Sequence, residues 1–254
     1  MTTPEKLLAR LDSIGASLHQ TGNALALLGL GSVGAERDRL DAYSDLDFFA
    51  IVKPGFKPAF IQNLDWLRAI HPVIFAFPNT ADGYKLLYAD GIFCEFAVFE
   101  PDELAHIPFV AQRVVWQDPA FDATLAVPPV QTHHSPPVEW HVGEALTNLY
   151  VGLGRYHRGE KLSAARFVQE YAVNQIIALS AHIETEQPFH RDPFGGERRY
   201  EQRFPGIAAL LPEFMPGYAR TPEAARALLA FLDQHFEVAP AMKQAILALC
   251  DLAS

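Results

Sequence analysis

Leu7, Leu8, Leu11, Ile14 and Leu18 recur at helical spacing, which predicts an amphipathic helix over residues 4–20 ended by Gly22-Asn23. Ala24–Leu28 is a short apolar run that reads as a buried strand, and it leads into Gly29-Leu30-Gly31-Ser32-Val33-Gly34. The following stretch, 35–44, is charged and has no apolar face. Leu46–Val52 is a strand by its aromatic and β-branched content, closed by Lys53-Pro54-Gly55. Phe60, Ile61, Leu64, Leu67 and Ile70 predict a second helix, stopped at Pro72. Three strands then follow, Val73–Phe77, Tyr84–Tyr88 and Ile92–Phe99, the last two joined by a tight Ala89-Asp90-Gly91 hairpin. Val114–Trp116 adds a further strand.

Residues 127–138 carry four prolines, and the pattern changes after them to helices at about 139–157, 161–184, 222–236 and 239–252. The loop between 185 and 206 is rich in Gly, Pro and Arg. These features place a boundary near 130, with an α/β unit of mixed sheet and flanking helices over 1–130 and a helical unit over 131–254.

The formal net charge of −10 argues against a long nucleic acid as partner, because gripping many phosphates calls for a basic surface. A small cationic substrate suits it better. No apolar run reaches the roughly 20 residues that span a bilayer, so no membrane association is expected. The first six residues show no secretory pattern, and two distant cysteines, Cys94 and Cys250, fit a reducing compartment; both point to the cytoplasm.

Gly29–Gly34 matches G-x-G-x-x-G after a strand, as in dinucleotide-binding folds. Two physical points oppose that reading. The turn should open an amphipathic helix, and Ala35–Asp41 offers no apolar face. The ribose-binding acid should also leave the second strand, whereas Asp45 and Asp47 stand at its entrance. The alternative takes Gly31-Ser32 as a phosphate turn, with Asp45-Leu46-Asp47 opening the strand after a spacer of twelve residues. Side chains two apart on a strand share a face, their Cα atoms roughly 6.6 Å apart. At about 5 Å and an effective dielectric near 20, two such carboxylates repel by roughly 3 kcal/mol. Magnesium removes that cost and prefers hard oxygen ligands.

Glu95 lies inside Phe93-Cys94-Glu95-Phe96-Ala97-Val98-Phe99, where a charge is rare unless paired or coordinating. If its strand neighbours that of the aspartates, it completes a three-carboxylate site as metal ligand or general base. Glu100, Asp102 and Glu103 read as solvated residues of a loop or helix start. His133 and His134 lack metal-site spacing and read as linker residues.

On Gly31-Ser32, Tyr43-Ser44-Asp45-Leu46-Asp47-Phe48, Cys94-Glu95-Phe96 with Pro101-Asp102-Glu103-Leu104, and the weaker Arg158-Gly159-Glu160, the chain resembles the polymerase-β-type nucleotidyltransferase superfamily. Within it the chain is most similar to the lincosamide and aminoglycoside nucleotidyltransferases. The resemblance covers about residues 29–120 and is only suggestive over 140–185. It implies a nucleotidyltransferase domain plus a helical-bundle domain with the active site in the cleft between them, often as a homodimer. It implies transfer of a nucleoside monophosphate, commonly AMP from ATP or another nucleoside triphosphate, to a hydroxyl of a small molecule such as an antibiotic. Asp45, Asp47 and Glu95 would bind two Mg²⁺ ions, Glu95 also serving as a possible base, and Gly31, Ser32 and Arg158 would hold the triphosphate. A nucleotide-binding regulatory or antitoxin-like member of the same superfamily is the other reading. Arg155, Lys161, Arg198, Arg199 and Arg203 are further candidate phosphate cations, and Tyr171 and Asn174 candidate acceptor contacts.

Overall fold

The computed structural model describes residues 2–110, 112–128, 136–192 and 195–252. His133 and His134 lie outside them. The chain divides into two compact units, Met1–Thr132 and His133–Ser254.

In the first unit α1 (Pro4–Gln20) begins at Thr3, whose side chain accepts from the Lys6 amide, with Pro4 in the first turn. Its face of Leu7, Leu11, Ile14 and Leu18 is fully buried. The strands are β1 (Ala24–Gly29), β2 (Leu46–Val52), β3 (Val73–Pro78), β4 (Gly83–Tyr88), β5 (Phe93–Phe99) and β6 (Arg113–Gln117), ordered β3-β4-β5-β2-β1-β6 among the described residues. The sheet is mixed: β2 and β5 are parallel and every other pair is antiparallel. Because β1 and β2 are antiparallel and no α-helix joins them, the dinucleotide-binding reading of the glycine turn is excluded.

Strand alternation divides the sheet's faces. Leu46, Phe48, Ala50, Cys94, Phe96 and Val98 are buried under the helices. There Phe48 stacks on Phe96 at 5.1 Å and both meet the Trp66 edge. On the other face, Phe49 and Ala97 lie in a smaller cluster with Phe99, Leu104 and Phe121. Asp47 and Glu95 fall on that second face, only half-buried.

The helix expected around 60–70 is two short ones, α2 (Lys57–Gln62) and α3 (Asp65–Arg68). Asn63 breaks it: its backbone is extended, and its side chain accepts from the Asp65 amide and donates to the Asp65 carboxylate. Glu100 and Glu103 do stand at a helix start, that of the short 3-10 helix Pro101–Ala105, but they are half-buried and engaged rather than solvated. They form a capping box, Glu100 accepting from the Gly55 amide and Glu103 pairing with Lys57.

The second unit is helical: α4 (Val138–His157), α5 (Lys161–Arg166), α6 (Val173–Leu179), the short α7 (Tyr200–Arg203), α8 (Pro205–Ala208) and α9 (Leu211–Phe214), then α10 (Thr221–His235) and α11 (Pro240–Asp251). Its core gathers Ala145, Leu149 and Leu153 of α4 with Ala224, Leu228 and Leu232 of α10. The single helix expected over 161–184 is divided by a π-helical stretch, Phe167–Ala172. Within it Gln169 is buried, its amide exchanging hydrogen bonds with Gly217 N–H and C=O and donating to Thr221. The wider turn accompanies this inward-facing amide. Among the described residues, no helix is long and apolar enough to cross a membrane.

Candidate active site

The Asp47 end of β2 is where the first unit brings its chemistry together. The parallel register sets Asp47 directly beside Glu95 and Leu46 beside Cys94. Asp45 immediately precedes the strand. On the opposite side β1 ends at Gly29, paired with Phe48, and the Leu30 amide donates to the Asp47 carbonyl at 2.8 Å. The Gly31–Val33 turn therefore starts where β2 starts.

That turn is tightly built. A Cβ on Gly29 would stand 2.6 Å from the Val33 carbonyl oxygen, so only glycine permits the chain to fold back there. Gly31 has φ +51, and its carbonyl accepts from the amides of Gly34 and Glu36. Ser32 is buried within the turn. Two cations that the sequence reading passed over adjoin it. The Arg39 guanidinium lies against Gly31 while pairing with Glu36, and Arg113 donates to the Val33 carbonyl at 3.3 Å. Burial, with the charge of Arg37, lowers the affinity of Arg113 for its proton.

Glu95 is held from the side away from β2. Lys85, its cross-strand partner on β4, pairs with it at 3.3 Å, and Asn79 donates to it at 3.1 Å. Accordingly, among the described residues no three His, Cys, Asp or Glu side chains are drawn together closely enough to hold a metal ion. The chemistry of the donors still suits magnesium: Asp45, Asp47 and Glu95 stand at adjoining backbone positions, and Asn79, bonded to Glu95, has a buried Oδ1 without a hydrogen-bond partner. For Glu95 to join the aspartates it must leave Lys85. That costs little, since both side chains are over 40% exposed.

Beneath the carboxylates Cys94 is fully buried. Burial pushes its thiol far up, and the charges of Asp45 and Asp47 add to the effect. Cys250 is also buried, and its thiol is raised mainly by burial. Both thiols are expected to react with iodoacetamide at pH 8 at least about 100-fold more slowly in the native protein than in denaturant. Mass spectrometry of the labelled peptides checks this, and rapid native labelling of Cys94 would contradict the closed β2–β5 seam.

The second-unit candidates are placed differently. Arg158 caps α4, is exposed and pairs with Glu160 at 3.1 Å. Arg155 stacks on Phe167 and donates to Ser163, a packing role. Lys161 is exposed, its ammonium over the Tyr156 ring. Arg203 is buried against Glu186, and Arg198 pairs with Asp192, so this cluster ties its own loop together. Arg199, also near Asp192, is bonded to the His190 carbonyl. Tyr171 and Asn174 are exposed, the tyrosine ring set against Phe167.

No family model and no curated protein matches the sequence. The solved structures that resemble the chain include two adenyltransferases and a CD-NTase. An aminoglycoside 6-adenyltransferase from Bacillus subtilis is 12% identical, with 100% of this chain and 99% of that one covered and a TM-score of 0.40. The spectinomycin adenyltransferase AAD(9) from Enterococcus faecialis, solved with ATP and spectinomycin, is 12% identical, with coverage of 96% and 98% and a TM-score of 0.32. The Bradyrhizobium diazoefficiens CD-NTase CdnG, in complex with GTP, is 13% identical, with coverage of 92% and 98% and a TM-score of 0.25. All three belong to the nucleotidyltransferase superfamily. At such identities and TM-scores, the likeness by itself assigns no activity to this chain.

Proposed function

We propose that this chain is a magnesium-dependent nucleotidyltransferase that moves a nucleoside monophosphate, AMP from ATP, onto a hydroxyl of a small molecule. The observation that carries this reading is one juxtaposition. The parallel β2–β5 register sets Asp47 beside Glu95, and the hydrogen bond from the Leu30 amide to the Asp47 carbonyl ties the Gly31-Ser32 turn to the same strand end. Three carboxylates next to a glycine turn suit a triphosphate brought in with divalent cations.

In this reading the backbone at Gly31 and Ser32 holds the β- and γ-phosphates, with Arg39 close by. Asp45 and Asp47 would hold the magnesium ions beside this turn, and Glu95 turns from Lys85 to face the acceptor. The acceptor oxygen attacks the α-phosphorus. One P–O bond forms as the α–β bridging P–O bond breaks, pyrophosphate leaves with the electron pair, and the hydroxyl proton passes to the Glu95 carboxylate. Magnesium, when bound, supplies positive charge for the phosphoryl oxygens and the leaving oxygen.

The test is incubation of the full chain with ATP, magnesium and a panel of hydroxyl compounds that includes aminoglycosides and lincosamides. Acceptor-dependent pyrophosphate release, matched by a product heavier by one AMP, is expected for at least one of them. Release of orthophosphate instead, or a product carrying the terminal phosphate, would overturn the assignment.

A further inference from the structure

On the face of the first unit's sheet that carries Asp47 and Glu95, two cross-strand rows run from the aspartates to the edge strand β3. In one, Asp47 is followed by Glu95, Lys85 and Phe77, one residue per strand. In the other, Phe93, Leu87 and Phe75 lie one step nearer the start of β5, where Asp45 leads into β2. Phe75 and Phe77 are 52% and 51% exposed, and β3 carries no charged residue to shield them. Large rings left in water along an edge strand mark a surface that something covers. The strip ends in polar chemistry, because Asn79 follows β3, bonds Glu95 and keeps a buried Oδ1 without a partner. An apolar wall beside a few convergent polar atoms is the usual make-up of a small-molecule site.

The sheet order says which molecule belongs there. The Gly31-Ser32 turn stands on the β1 side of Asp47, and the strip extends on the opposite side through β5, β4 and β3. In-line displacement requires the nucleophile to approach opposite the departing pyrophosphate. We infer that the Phe75–Phe77 strip is the acceptor-binding surface, and that the acceptor is a hydroxyl compound bearing an apolar ring or alkyl group. Two strand spacings of about 4.8 Å separate Glu95 from β3, so that group lies roughly 10 Å from the reacting oxygen. The inference rests on the proposed transfer reaction, which sets the hydroxyl at Glu95.

The probe is 3-(1-naphthyloxy)-1,2-propanediol, which joins a diol to an apolar ring; glycerol is its counterpart without the ring. Naphthyl fluorescence anisotropy gives the binding constant for the wild type and for Phe75→Ser/Phe77→Ser, and calorimetry gives the ATP affinity with magnesium. Saturable binding to the wild type is expected, at least tenfold weaker in the double variant, with the ATP affinity and melting temperature unchanged and glycerol a poor competitor. Absence of saturable binding, or equal binding by the variant, would overturn the inference. So would sedimentation showing a wild-type dimer that the double substitution dissociates, because the strip would then be a contact between two copies. Failure of ATP to bind with magnesium would instead remove the transfer reading, and the naphthyl result would no longer concern an acceptor.

Discussion

Asp47→Asn is expected to lower acceptor-dependent pyrophosphate release by about 1,000-fold or more while leaving the fold intact. The magnitude follows from what the residue does in the proposed reaction. A carboxylate that holds cations against the α-phosphate supplies several kcal/mol of transition-state stabilisation, and each 1.36 kcal/mol is a factor of ten. The fold should tolerate the change, because Asp47 is only half-buried, at the second residue of β2. The near-isosteric amide keeps the side chain's size and one acceptor oxygen, so the melting temperature should change little. Parallel measurement of pyrophosphate release and thermal unfolding checks both halves. Near-normal turnover with a normal melting curve would place the chemistry elsewhere.

The layout of the candidate site's backbone was legible in the sequence where its signals are local. The Gly31-Ser32 turn, the Asp45-Leu46-Asp47 strand entrance and the charge of Glu95 within an apolar strand need only nearby residues to be seen. The Asp90-Gly91 hairpin also formed where expected, Gly91 taking φ +86. The partners of Glu95 were not legible. Lys85 and Asn79 lie ten and sixteen residues upstream, and only the hairpin register brings them to that carboxylate. The arginines near 200 looked like a phosphate clamp by composition, but Arg203 pairs with Glu186 seventeen residues away and is buried. The π-helical stretch escaped for a similar reason, since its buried Gln169 answers groups at 217 and 221. Periodicity reports which face is apolar. It does not report which distant polar group a side chain will satisfy.

The Asp90 carboxylate illustrates a second job that turn chemistry alone conceals, and it yields the largest stability effect expected in the first unit. Arg10 on α1 is 9% exposed, pairs with Asp90 at 2.9 Å and lies 4.3 Å over the Tyr88 ring; Lys6 meets the same carboxylate at 3.0 Å. The pair therefore pins the turn of the β4–β5 hairpin to α1, just ahead of the strand that carries Glu95. Burial alone would raise the Asp90 carboxyl, but the Lys6 hydrogen bond and the charges of Arg10 and Lys6 outweigh it and hold the group below the ordinary aspartate range. Arg10→Ala removes the buried cation and its ring contact but leaves Lys6 on the carboxylate, so the loss should fall near the low end for a broken buried pair, about 3 kcal/mol. For a unit of this size that corresponds to a melting midpoint lower by roughly 9–15 °C. A depressed carboxyl contributes stability that is fully present above its unfolded pKa, about 3.9, and is lost as pH falls through the lower folded value. The gap between wild type and Arg10→Ala should hence be full at pH 7 and narrow below about pH 4. Denaturant melts across that range measure it, and a gap that stays constant into acid would mean that the ring contact, not the ion pair, holds the hairpin to α1.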